Sequence, residues 1–202
     1  MAREPAAQQR FSGTVAVSLA EHRVDAGFGR ERSTGLVLGA GAGLHVSPRL
    51  DLAVRAQGGS LDASTPGAVD RDVGEIGLAA SMTVGPWLSL QAGLARRVYS
   101  TLIARQGWTL AGVGAQAHLT FTGNPVRGLA RLWWLPVASV SGLPRPDLAF
   151  TAATGLEYRT GAFTLGAVYS LERYDFPAAA AVQRLEQLAA LTLRLDVRPG
   201  RQ

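Results

Sequence analysis

The stretch Thr34–Gln57, TGLVLGAGAGLHVSPRLDLAVRAQ, repeats with a period of two residues. Leu36, Leu38, Ala40, Ala42 and Leu44 share one parity, and after Ser47-Pro48-Arg49 the alternation resumes with Leu50, Leu52 and Val54. Successive side chains of a β-strand point to opposite faces, so the pattern predicts two strands joined by a tight turn, each with one apolar face. The second face is the unusual one, because a strand half-exposed to water carries charged or β-branched polar residues there, whereas glycine weakens a strand. Here that face includes Gly39, Gly41 and Gly43. Such a chain needs a sheet whose second face is cramped and withdrawn from bulk water.

The same period runs through ten segments of the 202-residue chain. Phe11–Arg23 sets Phe11, Val15, Val17 and Leu19 against Ser12, Thr14, Ala16 and Ser18; the second and third segments are those of the opening stretch. The fourth carries Ile76, Leu78, Ala80, Met82 and Val84, and the fifth Leu88, Leu90, Ala92 and Leu94. The sixth runs over about Gly107–Phe121 and the seventh over about Gly128–Val137. Leu148–Tyr158, Phe163–Leu171 and Ala189–Val197 complete the set. Tight turns (SPR, GPW, TGNPVR, RTGA) alternate with longer, more polar links at Val24–Ser33, Ser60–Asp72, Tyr99–Gln106, Ala138–Asp147 and Tyr174–Gln183, which is a rhythm of hairpins. The uncharged run Ile76–Ala95 is long enough for a membrane helix, but Gly85-Pro86 in its middle favours two strands and a turn. Pro136 cannot donate to a ladder, so a bulge or an early strand end is expected in the seventh segment. The segment from Pro177 to Leu195 also reads as a helix, and a strand is expected there from about Gln187.

Two closed barrels carry such a pattern. A soluble lipocalin-like barrel turns its apolar face inward around a ligand cavity, and a membrane barrel turns it outward to lipid around a polar or small-residue lumen. The small, sparsely charged second face favours the membrane barrel. Segment lengths agree with the about 9–11 residues a spanning strand requires. Aromatic residues gather beside the tight turns (Phe11, Trp87, Phe121, Tyr158, Phe163) and near the longer links (Phe28, Tyr99, Trp108, Tyr174, Phe176), as two interfacial girdles would.

On these features the chain resembles the small bacterial outer-membrane β-barrel proteins as an architectural class, over Phe11–Val197. The resemblance implies an all-β, closed antiparallel up-and-down barrel, with short periplasmic turns and longer extracellular loops. Ten strands are expected, eight if the seventh or the terminal segment fails. Residues 1–10 are expected to be a disordered segment and 198–202 a tail. No apolar signal region opens the sequence, so export requires a signal peptide absent from this chain. Barrels of this class typically end on an aromatic residue, whereas LRLDVRPGRQ closes this one.

Few chemistries remain open. There is no cysteine, and His22, His45 and His118 lie far apart, so neither a thiolate nor a histidine-carboxylate metal site is expected. The net charge of +5 comes from 20 arginines scattered singly, which does not build a nucleic-acid surface. Gly39–Gly43 is not a phosphate loop, since no helix or Lys-Ser/Thr pair follows it. An outer-membrane enzyme acting on lipid or peptide would need a polar triad. His118-Leu119-Thr120 has Thr in place of a nucleophilic Ser and lies beside the wrong turn; Asp62, Asp70, Asp72 and Asp175 have no neighbouring His, and His22 with Asp25 is the nearest approach. No catalytic residue and no cofactor is assigned.

Period two places Arg55, Glu75, Arg97, Arg131, Glu157, Glu172, Glu186 and Arg194 in the lumen, with Arg55 in diagonal reach of Glu75. They form a salt-bridged plug or line a very narrow pore. Arg30, Arg32, Arg71, Arg105, Arg145 and Arg173 fall at the loop rim, where they contact lipopolysaccharide phosphates or only solvate the loops. The expected function is structural or interactive, with outer-membrane lipid as the surroundings and no protein partner assigned. A soluble lipocalin-like binder is the remaining alternative.

Overall fold

Period two does produce a strand in all ten places. The computed structural model describes residues 11–27, 29–121, 123–178 and 183–198; the expectations placed on segment 1–10, on Phe28 and on the tail after Arg198 lie outside the described residues. The strands are β1 (Phe11–Asp25), β2 (Arg30–Ser47), β3 (Leu50–Ala63), β4 (Arg71–Thr83), β5 (Leu88–Ser100), β6 (Arg105–Thr120), β7 (Val126–Val140), β8 (Leu148–Thr160), β9 (Phe163–Asp175) and β10 (Leu185–Val197). Each is antiparallel to its sequence neighbours, and β1 pairs with β10 from Gly13↔Val197 to Asp25↔Leu185, closing the barrel. Closure removes the sheet edges that would otherwise leave rows of unpaired N–H and C=O groups. The terminal segment is a strand; its helical reading gives way because β10 finds a complete ladder on both sides.

The apolar parity faces out on every strand. Leu38 is 64% exposed, and Val17, Leu52, Leu78, Leu94, Val113, Leu132, Leu156, Leu165 and Leu193 are likewise exposed around the circumference. This is the reverse of a lipocalin-like arrangement, in which these residues would line a cavity. At the turn end Phe11, Trp87, Phe121, Tyr158 and Phe163 are all exposed, forming one aromatic girdle.

Among the described residues the second expected girdle does not form. Tyr99, Trp108, Tyr174 and Phe176 are buried inside the barrel near the loop end. Strand parity explains the correction: Tyr99 lies two residues from inward Arg97, and Tyr174 two from inward Glu172.

Burial of the inward face is graded along the barrel. On β1, Ser12, Thr14 and Ala16 near the turn end are half-buried, whereas Ser18, Ala20, His22 and Val24 are buried. On β5, Ser89, Gln91 and Gly93 are half-buried, and Ala95, Arg97 and Tyr99 are buried. On these two strands the interior is filled more tightly toward the loops than toward the turns.

Strands also run further into the loop-end links than expected, leaving only 26–29 between β1 and β2 and 101–104 between β5 and β6. Cross-strand polar contacts extend these ladders: Glu21 lies 3.4 Å from Arg32, and Arg30 Nε donates to Asp25 at 3.0 Å. Pro136 does make a bulge. Ala111 pairs with Val137 and Val113 with Trp134, so Gly112 faces both Leu135 and Pro136. The β7–β8 ladder ends at Trp134↔Phe150, and the Arg145 guanidinium donates to the Pro136 carbonyl.

Candidate functional site

Three groups of inward charges occupy the lumen. The first is centred on Glu75, which the ladder sets opposite Gln57 on one side and Arg97 on the other. Arg55 Nη2 donates to Glu75 Oε1 at 3.1 Å, the diagonal contact expected from register. Arg97 Nε donates to Glu75 Oε2 at 2.6 Å, and its two terminal nitrogens donate to both oxygens of Glu172 at 2.8 and 3.0 Å. Because Arg97 stands on β5 and Glu172 on β9, this bidentate pair crosses the interior and ties non-adjacent walls together. Tyr174 Oη also donates to Glu172, at 2.7 Å.

The second group surrounds Glu157 nearer the turn end. Arg127, opposite it on β7, and Arg194, from β10, both donate to its carboxylate. His118 Nε2 lies 3.5 Å from the same carboxylate, and Arg194 Nε lies 3.2 Å from Asp196. Glycine gives the arginines room. A β-carbon at Gly166 would stand 3.0 Å from Arg194 Nε, and one at Gly77 would stand 3.2 Å from Arg55 Nε, so each guanidinium stem lies flat across a neighbouring strand.

The third group, at the loop end, joins charge to the aromatic cluster. His22 Nε2 lies 3.2 Å from Glu186 Oε2, and Arg71 Nη1 lies 2.9 Å from His22 Nδ1. Arginine can only donate, so Nδ1 accepts and Nε2 carries the hydrogen given to Glu186. Arg184 Nε donates to the other Glu186 oxygen at 2.7 Å. The His22 ring stacks on Tyr99 with centroids 4.7 Å apart; Tyr99 meets Trp108 edge-on at 6.3 Å, and Trp108 meets Tyr174 at 4.8 Å and Phe176 at 6.2 Å.

Of the residues assigned to the lumen from sequence, Arg55, Glu75, Arg97 and Glu172 meet in one group, Glu157 and Arg194 in a second, and Glu186 in a third. Arg131 joins none of them: among the described residues no carboxylate pairs with it. Sequence reasoning missed His22, Arg71, Arg127 and the aromatic cluster as interior residues. His22 is not a rim residue beside Asp25; it shares the parity of inward Ser18 and Ala20, which was the available signal. At the rim, Arg30 pairs with Asp25, Arg32 with Glu21 and Arg173 with Asp175, while Arg71 turns toward His22 and Glu31. Arg105 is exposed. Asp62 is exposed, Asp70 caps the Ala63 amide, and Asp72 accepts from Ser60. Among the described residues, no three His, Asp or Glu side chains are grouped to hold a metal ion.

The closed barrel has counterparts among solved structures. The chain superposes on the outer-membrane protease OmpT of Escherichia coli with a TM-score of 0.69 at 8% identity, covering 96% of this chain and 99% of that one. Its architecture is that of the bacterial outer-membrane β-barrels. The β domain of the Bordetella autotransporter BrkA gives 0.51 at 13% identity over 90% of this chain and 98% of that one. The translocator domain of the autotransporter NalP of Neisseria meningitidis gives 0.50 at 10% identity over 94% and 88%. At such identities the likeness is one of fold. No protein-family model and no curated protein sequence matches the chain.

Proposed function

We propose that this chain is an integral barrel of a bacterial outer membrane, its turn end in the periplasm and its loop end outside, with a structural or interaction role and no catalytic one. The apolar belt around the full circumference supports the location, because such a surface is costly in water and favoured in lipid. The observation that carries the role is the packing of the loop-end lumen: Trp108, Tyr174, Phe176, Glu186 and Arg97 there are each at most 2% exposed. That packing acts as a plug and separates the outer medium from the periplasmic half of the lumen. Rim arginines, Arg105 foremost, contact lipopolysaccharide phosphates from the outer end.

Planar-bilayer recording tests this reading. The reconstituted wild-type barrel gives no ion-conducting steps, and Trp108→Ala combined with Tyr174→Ala introduces them. Stable wild-type steps whose size changes in Arg55→Ala or Arg131→Ala would overturn the closed lumen. Heat-modifiable gel mobility and dependence on detergent are expected of the purified protein; a monodisperse chain without detergent would rule out the membrane location.

A further inference from the structure

We propose that the middle of the lumen is a binding site for a small oxyanion, of the phosphate or carboxylate class, organised by Arg131. A cavity of about 290 Å³ lies there, and the charged side chains on its wall are Arg55, Arg97, Arg131, Arg194 and Glu172. The nearby ion groups balance without Arg131. Arg55 and Arg97 are matched by Glu75 and Glu172, and Arg127 and Arg194 by Glu157 and Asp196. Among these lumenal groups Arg131 is the unmatched charge, and its Nε is enclosed without a hydrogen-bond partner. A half-buried guanidinium with an enclosed, unpartnered Nε is favoured by a counter-charge, and the cavity beside it has room for one.

The surroundings suit an oxyanion. Arg131, Ala153 and Ser170 follow one another across β7, β8 and β9, and Thr151 lies on the same wall, so two hydroxyl donors line the cavity together with the guanidinium. Arg55 and Arg194 line the same space, each with its stem flattened over a glycine. Planar guanidinium forks bind phosphate and carboxylate oxygens in pairs, which a lysine does not reproduce. Access is from the turn end, where Thr14, Gly41, Gln91 and Gln116 leave the inward face half-exposed. Its wall meets the loop-end plug at Arg97 and Tyr174, while Arg131, Thr151 and Ser170 lie outside that packing.

The test is isothermal titration of inorganic phosphate, and in a second arm of acetate, into the detergent-folded full chain at constant ionic strength. One saturable site is expected. Arg131→Gln weakens it tenfold or more, Arg131→Lys less, and Arg96→Gln, on the outward face, leaves it unchanged. Preference between the two arms tells which oxyanion the site favours. Equal binding by wild type and Arg131→Gln, or no saturable binding in either arm by the wild type, would overturn the proposal. Retained heat-modifiable mobility shows that each variant is folded, and if Arg131→Gln fails to fold, Thr151→Val with Ser170→Ala replaces it, with loss of affinity again expected and unchanged affinity counting against the site.

Discussion

Arg97 and Glu75 face each other across the β4–β5 ladder, with Arg97 Nη2 2.5 Å from Glu75 Oε2 and both side chains at most 2% exposed. Arg97 also holds the largely buried Glu172, whereas the second partner of Glu75 is the exposed Arg55. The two partners are therefore unequal. Arg97→Met leaves Glu75 with only the exposed Arg55 and Glu172 with only the Tyr174 hydroxyl, and is expected to lower stability by about 3–5 kcal/mol, the scale of a broken buried pair. Glu75→Gln leaves Arg97 chelated by Glu172 and costs less. Urea unfolding of the lipid-refolded barrel measures both, and a larger loss for Glu75→Gln would contradict the asymmetry.

Outward and lumenal positions differ sharply in their tolerance of charge. Leu38→Arg puts a guanidinium at mid-strand on the exposed apolar belt and is expected to cost about 2–4 kcal/mol in a bilayer. Gln57→Arg, on the inward face next to Gly39, adds a cation beside Glu75 and should cost under about 1 kcal/mol. Equal costs at the two sites in vesicle refolding would argue against lipid on the outside.

Gly59 sits where β2 and β3 approach closely. A β-carbon there would lie 2.0 Å from the Leu36 carbonyl oxygen, so Gly59→Ala must push the strands apart, at about 1–3 kcal/mol. Gly74 has no heavy atom within 4 Å of the same position, and Gly74→Ala is expected to change stability by under about 0.5 kcal/mol. Chemical unfolding of the two variants side by side checks the difference.

His22 fills two roles that substitution separates. His22→Phe keeps a ring against Tyr99 but removes the donor to Glu186 and the acceptor for Arg71, an expected loss of about 1–3 kcal/mol. His22→Gln restores polar contacts and loses the stacking. If His22→Phe is as stable as wild type in urea, the ring matters and the hydrogen bonds do not.

Strand count, topology and facing were legible because one physical rule, alternation, governs every strand, and its violations were few. Pro136 announced its own bulge, and Arg55 reached Glu75 because register fixes diagonal neighbours. The interior ends of the strands were harder. Tyr99, Trp108, Tyr174 and Phe176 look interfacial by residue type and by nearness to links, and only their parity with Arg97 and Glu172 marks them as lumenal. His22 was hidden similarly, by its closeness in sequence to Asp25. Which carboxylate serves which arginine was not legible, because Arg97–Glu172 and Arg194–Glu157 join strands that are not sequence neighbours. Loop boundaries shifted because polar cross-strand pairs such as Glu21–Arg32 sustain a ladder where residue polarity alone reads as loop.

The seam between β1 and β10 fixes the order of events in biogenesis. Thr14 bonds to Asp196, Ser18 to Thr192 and His22 to Glu186 across it, so three inward polar locks of the first strand are supplied by the last. A chain interrupted before Leu185 would leave β1 and β9 as two bare strands and His22 facing no carboxylate, a template for pairing with other chains. Closure also joins segments at the greatest separation the chain permits, which makes it a slow step. Until it happens, some other protein or the membrane itself has to keep those two edges apart from their neighbours.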